Sequence, residues 1–457
     1  MKVDVAILGG GIGGAACAMF LAREGIQATI IERERFPRYH IGESMTGAAG
    51  QVIRQLGLEA EMLKHKHPRK KGVVVYGPKG HTSWWVPVTG RDENWGLYDS
   101  ETWQVRRSDF DTMMLAEAVA RGAKLIHGRA TRPLLSEAGA VRGLEVRLAD
   151  GGSINVESEV LLDCSGQATF LANAGATGPK YVGNYDKQIA IFSQVEGAIR
   201  DDDSSRMKDH DNALIFYKEK FHWAWFIPLD EEVVSVGVGV PAGYFLDKKE
   251  STRDFLVREL GELNGELARR LPEIKLAEDV HVIPNYSYQV SRFCGPGYIC
   301  IGDAHRFIDP IYSFGMTVAL REAQLAAPAV RAYLEGANRD QPNPFADYER
   351  FTEQGIDVLE DMIDLFWEQP LAFAWFVHFR HVEQMTDAFA GRIYENQPSE
   401  AILAFRKMLG RTEERERSYQ NGAGYSVPIG SRYHPERAPL WQANSPVPTT
   451  EEWLGPR

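Results

Sequence analysis

The chain has 457 residues, 44% of them hydrophobic and 25% charged, which is the balance of an ordinary globular protein with room for two or three domains. Its 63 acidic and 51 basic residues give a formal net charge of −12, which excludes the broad basic face that nucleic acid or an anionic membrane needs. The four cysteines include no C-x-x-C pair, so we expect no metal site.

The start of the chain predicts a β-α-β unit that binds a dinucleotide. An apolar strand runs into the sequence G-x-G-x-x-G at Gly9–Gly14, and a helix and a second strand follow. Gly9 permits the tight turn, Gly11 lets the backbone approach a pyrophosphate, and Gly14 lets the helix pack on the strand. The second strand ends in Glu32, at the distance expected for a carboxylate that binds the ribose.

The elements that follow change character near residue 180. Helical patterns occur at 47–56 and 109–121, and strand patterns at 73–76, 83–86, 124–148 and 160–163. From 180 to 290 the sequence is rich in aromatic residues and alternates as an antiparallel sheet does, with a helix at 252–260. A strand at 298–301, a helix at 315–333 and an aromatic helical tail from about 343 to 410 follow, and we expect the last 40 residues to form an irregular wrap.

The strand at 298–301 leads into a second cofactor-binding segment, Gly302-Asp303-Ala304. An aspartate at a strand end can accept a hydrogen bond from a ribityl hydroxyl, and the helix that follows points its N-terminus at a phosphate or a ring. An NAD domain completes its fold locally, so two distant segments together point to FAD. We therefore expect an α/β fold in which a Rossmann-like FAD-binding domain carries an inserted, mainly antiparallel β substrate domain and a helical C-terminal region. The predicted boundaries are 1–175 and 292–335 for the FAD-binding domain, 176–291 for the substrate domain, and 336–457 for the helical region with its irregular tail.

Four segments of the chain resemble the FAD-dependent monooxygenase superfamily and, within it, the flavin-dependent halogenases. They are the turn at Gly9–Gly14, the loop Phe36–Ser44, the W-x-W-x-I-P stretch at Trp223–Pro228, and Gly302-Asp303-Ala304 continuing through Asp309–Gly315. The W-x-W-x-I-P stretch is the fairly specific one, whereas hydroxylases and reductases share the others. The resemblance covers roughly residues 1–335 and implies FAD as the cofactor, with FADH2 as its active form.

The resemblance also implies which residues hold the cofactor. Together with the two motifs, the expected FAD-binding set is Gly9, Gly11, Ile12, Gly13, Gly14, Glu32, Arg33, Gly42, Glu43, Ser44, Arg106, Asp303, Pro310, Gly315 and Met316. In the family, a halide sits on backbone N–H groups of a Ser/Thr-Gly pair, which is Phe314-Gly315 here. The phenylalanine ring would crowd that site.

The family chemistry implied by the resemblance uses a flavin C4a-hydroperoxide to oxidise a halide, which then travels past two tryptophans to a lysine beside the substrate. Trp223 and Trp225 have the same parity on a strand and therefore share a face, where they could wall off the flavin. The K-x-G register in Lys70-Lys71-Gly72 favours Lys70 as the catalytic lysine over Lys71. His305 replaces a small residue of the family and is a candidate hydrogen-bond donor to the flavin.

The expected function is halogenation of an aromatic group such as tryptophan, phenol or pyrrole, free or carried on a peptide or carrier protein. Two alternatives stay open: an FAD monooxygenase that hydroxylates an aromatic group, which Phe314 favours, and an isoprenoid reductase, which the tryptophan pair disfavours. No second dinucleotide motif for NAD(P)H occurs, so we expect a separate flavin reductase. No leader segment and no run of roughly 18 apolar residues occur, so we expect a cytoplasmic protein that binds neither nucleic acid nor membrane.

Overall fold

The computed structural model describes residues 1–410 except 178–179, 184, 186, 203–204, 285, 291 and 395–397. The predicted irregular wrap lies outside the described residues. The strands are β1 (Lys2–Leu8), β2 (Ala28–Glu32), β3 (Arg69–Lys70), β4 (Gly72–Tyr76), β5 (Ser83–Pro87), β6 (Thr89–Arg91), β7 (Leu97–Asp99), β8 (Thr102–Trp103), β9 (Lys124–Leu135), β10 (Val141–Leu148), β11 (Ser153–Asp163), β12 (Lys180–Val182), β13 (Gln188–Glu196), β14 (Ala213–Glu219), β15 (His222–Pro228), β16 (Val233–Pro241), β17 (Lys275–Leu276), β18 (His281–Pro284), β19 (Tyr288–Val290), β20 (Cys294–Gly295), β21 (Tyr298–Cys300) and β22 (Arg306–Phe307). The α-helices are α1 (Ile12–Arg23), α2 (Gly47–Gln55), α3 (Glu59–Lys64), α4 (Arg107–Ala120), α5 (Phe170–Asn173), α6 (Ala242–Lys248), α7 (Thr252–Glu262), α8 (Gly265–Arg270), α9 (Gly315–Leu334), α10 (Ala346–Glu368), α11 (Pro370–Trp375), α12 (Val382–Phe389) and α13 (Glu400–Met408).

The first sheet is the predicted dinucleotide-binding sheet. Strand β1 lies between β2 and β11, all parallel, and β9 and β21 extend this parallel core at its two sides. The strands at its centre are almost entirely buried because α1, α4 and α9 cover them, which explains their near-continuous apolar sequences. The late strand β21 joins this sheet beside β11, although more than 130 residues of chain separate the two strands.

The second sheet is mainly antiparallel and is built on β13 to β16, with β17 and β18 paired to β13. Its far edge comes from a different part of the chain: β4 pairs in parallel with β14, and β5 pairs with β4. This corrects the predicted boundary, which placed residues 72–87 in the FAD-binding domain. The valines of β4 alternate between the two faces of the second sheet and extend its apolar layers, so pairing with β14 buries them.

The two faces of the second sheet have different neighbours. One face packs against α7 and α8 through residues such as Phe226 of β15. The opposite face carries Trp223 and Trp225, and it packs against the helices that follow residue 345. The predicted parity of the tryptophan pair is therefore present in the structure: both rings point away from α7 and α8.

The C-terminal region is helical over the described residues, as predicted. Helix α10 runs for 23 residues and contacts both α9 and α13, so it joins the FAD-binding sheet to the last helices. No described helix combines the length and the apolar character that a membrane span requires.

Candidate active site

A cavity of about 820 Å³ extends from the glycine-rich turn to the C-terminal helices. One end is lined by the turn, by Glu32 and by Asp303. The other end is lined by side chains of β4, β5, β14 and β15 and by aromatic residues of α10 and α12. The cavity therefore has a polar half of the kind that holds a dinucleotide and an apolar half of the kind that holds an aromatic ligand.

The glycine-rich turn has the geometry that its sequence predicts. Gly9 has φ +101°, a left-handed conformation in which only glycine is unstrained, and a Cβ there would collide with the Cys164 carbonyl. A Cβ on Gly14 would overlap the Gly9 carbonyl oxygen, so this glycine allows α1 to pack on β1. At Gly11 a Cβ would approach only the Arg38 guanidinium, at 3.3 Å, so this position is open towards the cavity. The turn and the N-terminus of α1 thus form a cradle that fits a pyrophosphate.

Two carboxylates, those of Glu32 and Asp303, line the cavity. Glu32 is buried, and its oxygens accept hydrogen bonds from the backbone N–H groups of Gly10 (2.6 Å) and Glu34 (2.8 Å), which fixes the side chain and leaves lone pairs for ribose hydroxyls. Asp303 lines the cavity and has no side-chain hydrogen bond among the described residues. Burial raises the pKa of Asp303 to about 7, with Arg107 and Lys180 opposing the rise. A hydroxyl donor in the cavity would satisfy this carboxylate, so the residues present fit FAD.

The loop that precedes α2 contributes Gly42, Glu43 and Ser44 to the cavity wall, and Arg33 also lines it. The predicted contact of Arg106 needs correction. The Arg106 guanidinium points to the second sheet, where it pairs with Asp230 and donates to Gln194 Oε1 at 3.2 Å. The cavity is lined instead by Arg107.

Arg107 is a residue that sequence reasoning missed. It is bidentate to Asp111 one turn along α4, at 2.7 and 2.9 Å, and it donates to the Ile41 and Gly42 carbonyls. It therefore ties this loop to the start of α4. The sequence feature that could have indicated this pair is the Arg-x-x-x-Asp spacing, which places the two side chains on one helix face.

The tryptophan pair forms one wall of the cavity. Both residues are buried and line it, and their ring centroids are 5.6 Å apart at an interplanar angle of 42°. Trp225 Nε1 donates to Ser235 Oγ at 3.2 Å, and the Trp225 ring also packs on Phe192. This packing limits rotation of the indole, so the wall is fixed rather than loose.

Lys70 and Lys71 are separated by the alternation of the backbone, which distinguishes the two candidates. Lys70 is buried at the cavity wall, and its Nζ donates to Ser44 Oγ and to the Met45 carbonyl, both at 2.9 Å. Burial lowers the pKa of Lys70 to about 7, so a neutral, nucleophilic amine is accessible near neutral pH. Lys71 points away from the cavity and pairs with Asp209, which corrects its inclusion among the catalytic candidates.

His305 does not line the cavity, contrary to the prediction that it donates to the flavin. Its ring is fully buried between two carboxylates, with Nδ1 3.0 Å from Glu322 Oε1 and Nε2 2.8 Å from Glu353 Oε1, and it stacks on Phe293. These carboxylates raise the pKa of His305 to about 9 against the effect of burial. Glu322 Oε2 also accepts from the Gly302 N–H. The histidine is therefore linked through Glu322 to the backbone of the segment that carries Asp303.

The segment after Asp309 brings a helix N-terminus to the cavity. Pro310, Phe314, Gly315 and Met316 all line it, and α9 begins at Gly315. Phe314 is buried in the apolar cluster that also contains Trp223, whereas Gly315 is exposed. The N–H groups at this end of a 20-residue helix favour an anion.

The apolar half of the cavity includes residues of the C-terminal helices that were not predicted to be functional. Trp84 of β5 meets Phe389 of α12 at a ring distance of 5.9 Å, and Phe366 and Tyr312 lie beside them. An aromatic-rich helical tail is the only sequence signal for this half, since aromatic residues are equally common in ordinary cores.

The fold and the cavity define an FAD-dependent oxidoreductase. A family model described as "FAD binding domain" matches residues 2–342. The 1H-pyrrole-2-carbonyl-[peptidyl-carrier protein] brominase of Pseudoalteromonas luteoviolacea is 34% identical over 81% of this chain and 87% of its own length. The corresponding chlorinase of Pseudomonas fluorescens is 26% identical over 90% of this chain and 94% of its own. The solved structure of the flavin-dependent brominase Bmp2 superposes with a TM-score of 0.82 at 32% identity, covering 91% of this chain and all of that one. The chain belongs to the flavin-dependent halogenases.

Proposed function

We propose that this halogenase acts on a pyrrole carbonyl group held on a carrier protein, with reduced FAD, O2 and a halide as co-substrates. Two relatives that align over most of their length, a brominase and a chlorinase, are named for a 1H-pyrrole-2-carbonyl group on a peptidyl carrier protein. They differ in the halide that they transfer, so the comparison supports the substrate class more strongly than the choice between bromide and chloride.

The observation that carries the proposal is Lys70, a buried amine at the wall of a cavity that also holds the tryptophan pair. A lysine with a pKa of about 7 can exist as a neutral amine that bonds an oxidised halide, or as an ammonium that donates a hydrogen bond to it. Ser44 Oγ and the Met45 carbonyl fix the position of the nitrogen. The amine is therefore oriented before a substrate arrives.

The remaining residues bind, orient and exclude water. Glu32, Asp303 and the glycine-rich turn would hold FAD, which supplies when reduced the electrons that make O2 an oxidant for the halide. Trp223 and Trp225 line the same cavity as Lys70, and we expect them to stand between the flavin and the lysine. The apolar surface made by Val73, Val75, Trp84 and Phe389 suits a flat, weakly polar ring such as pyrrole.

The proposal is tested with a pyrrole carbonyl substrate loaded on a carrier protein, in parallel with the same group as a free acid. We expect mass spectrometry to show a halogen on the carrier-bound pyrrole and little product from the free acid. Halogenation of the free acid at the same rate would remove the carrier from the proposal, and turnover of neither would refute the substrate class.

A flavin reductase is the second expected partner, because the described residues show one glycine-rich nucleotide cradle. The test is NADH oxidation by the purified chain. We expect turnover to require an added reductase or chemically reduced FAD, and NADH-driven turnover by the chain alone would contradict this part of the proposal.

A further inference from the structure

Glu43 is a buried carboxylate at the cavity wall whose contacts lie towards the second sheet. It is 1% exposed and follows Gly42, whose φ of +95° turns the chain inwards. Its Oε1 accepts from Gln194 Nε2 at 2.9 Å, whereas Oε2 is buried without a well-formed hydrogen bond among the described residues. A buried carboxylate with only one satisfied oxygen is costly, so this position calls for an explanation.

Ser235 lies beside this contact, because it is paired directly with Gln194 across the antiparallel strands β13 and β16, and Gln194 is the residue that donates to Glu43. Ser235 is fully buried on β16, and hydrogen bonding with it lowers the pKa of Glu43 against the effect of burial. The same hydroxyl accepts the hydrogen bond from Trp225 Nε1. Because that bond occupies the oxygen as an acceptor, the hydroxyl hydrogen is left to turn towards a carboxylate.

The neighbouring residue makes the corresponding contact with the catalytic lysine. Ser44 Oγ accepts from Lys70 Nζ, and the Glu43 carbonyl accepts from the Val105 N–H at 2.7 Å, which holds the loop in register with the start of α4. Two consecutive residues of one loop therefore reach the two parts of the site that the oxidised halide must pass in turn.

We propose that Glu43 is a positioning residue that ties the Trp225 wall, through Ser235, to the loop that holds Lys70, so that wall and lysine keep one relative geometry. This inference rests on the proposed halogenation. It adds a residue that touches neither the indole nor the lysine and yet sets the path between them. Removing the carboxylate would free the Ser235 hydroxyl and let the indole tilt, and an oxidised halide would then escape to solvent before it meets Lys70.

The charges around Glu43 determine how this link responds to pH. Burial raises its pKa to about 7, while Gln194, Ser235, Arg107 and Arg106 oppose the rise. Both arginines are paired, Arg106 with Asp230 and Arg107 with Asp111, so their effect on the carboxylate is partly neutralised. The phenol of Tyr39, whose pKa is raised by burial and by Glu43, and the Lys70 amine next to Ser44 are further titratable groups nearby. Below pH 7 the carboxyl carries a proton and becomes a donor, which reverses its relation to Ser235.

The experiment compares Glu43→Ala, Glu43→Gln and Ser235→Ala with the parent chain, full length and loaded with FAD. The matched control is Glu278→Gln, which removes a partly exposed carboxylate that also acts on Tyr39. Four quantities are measured: halogenated product per FADH2 consumed, oxidised bromide caught by a phenol trap in solution, the dissociation constant of FAD, and the pH dependence of Trp225 fluorescence. Trp225→Phe versions supply the fluorescence baseline.

We expect Glu43→Ala to lower product per FADH2 by about 10-fold and to raise the trapped bromide, while the dissociation constant of FAD stays within about 2-fold. Glu43→Gln keeps an acceptor for Gln194 and Ser235, so it should retain most of the halogenated product per FADH2. It should lose the fluorescence transition near pH 7 that we expect in the parent chain. Ser235→Ala should also raise the amount of trapped bromide, and Glu278→Gln should behave as the parent.

The proposal would be overturned if Glu43→Ala left both the product per FADH2 and the Trp225 fluorescence unchanged. It would also be overturned if FAD affinity fell in parallel with product, since Glu43 would then be a cofactor ligand. If Glu43→Ala does not fold, Glu43→Gln decides, because the amide cannot titrate: the fluorescence transition near pH 7 must disappear in that variant, and a transition that persists would overturn the proposal. The trap and the fluorescence need no pyrrole substrate, so a wrong substrate class would leave them intact. Absence of trapped bromide in every variant, with the pH transition present, would refute the halogenation and not the link.

Discussion

Replacing Lys70 by methionine should abolish halogenation and at the same time reduce the pH dependence of stability. The amine is buried, and its pKa falls from the ordinary 10.5 to about 7. Keeping it charged in the folded state costs about 5 kcal/mol, by the constant that links pKa to free energy. Methionine fills a similar volume with no charge and so removes this cost.

The direction in which pH changes the stability follows from the number of protons bound by the folded and the unfolded chain. Between about pH 7 and pH 10.5 the unfolded chain binds a proton on Lys70 that the folded chain has lost, so the parent gains stability as the pH rises. From pH 7 to about pH 9.5 this gain amounts to about 3 kcal/mol relative to Lys70→Met. The methionine also leaves Ser44 Oγ and the Met45 carbonyl without their donor, but that loss is the same at each pH and cancels from the slope.

The assay is urea unfolding of both proteins, free of FAD, at pH 7 and at about pH 9.5. We expect the difference in unfolding free energy between Lys70→Met and the parent to change by about 3 kcal/mol between the two conditions, in favour of the parent at the higher pH. A difference that does not vary with pH would show that Lys70 is charged and solvated in the folded protein, and the account of a neutral amine would be wrong.

Three further predictions concern residues on either side of the site. Gly11→Val should fold, because its side chain meets only the flexible Arg38 guanidinium, but FAD retention after gel filtration should collapse; full flavin occupancy would refute the cradle. Lys71→Ala should halogenate like the parent, whereas Lys70→Ala should consume FADH2 and O2, release peroxide and give no halogenated product; loss of product in Lys71→Ala alone would exchange the two roles. His305→Asn should lower the melting temperature most at low pH: the pKa of His305 is raised to about 9, so its stabilisation is fully present below pH 6.5 and is lost as the pH rises through about 9. A destabilisation that grows with pH would contradict the pairing with Glu322 and Glu353.

The FAD half of the site could be predicted from the sequence because its requirements are local. The turn at Gly9–Gly14 needs glycine for reasons of backbone conformation and close packing, and Glu32 follows from the length of one helix and one strand. The shared face of the tryptophan pair could also be predicted from the sequence, since parity along a strand determines the face to which each side chain points. The K-x-G register favoured Lys70 over Lys71, and in the structure Lys70 lines the cavity whereas Lys71 pairs with Asp209.

The errors concern residues whose position depends on distant partners. His305 follows an FAD-binding motif, yet it turns into the core because Glu322 and Glu353, from two different helices, enclose it. Arg106 and Arg107 are adjacent, and only the position of α4 decides that the second of them faces the cavity. No local sequence pattern assigns the strands at 72–87 to the second sheet, because their partner strand β14 lies more than 130 residues further along the chain.

The central claim, that this cavity transfers a halogen to a carrier-bound pyrrole, is tested most directly by halide dependence. The chain is supplied with carrier-bound pyrrole carbonyl substrate, reduced FAD and O2 in halide-free buffer, and bromide or chloride is then added. The account predicts no modified product before the addition, and afterwards a product whose isotope pattern carries the halogen, with none from Lys70→Ala. An oxygenated product formed equally well without halide would contradict the account and establish an aromatic hydroxylase instead.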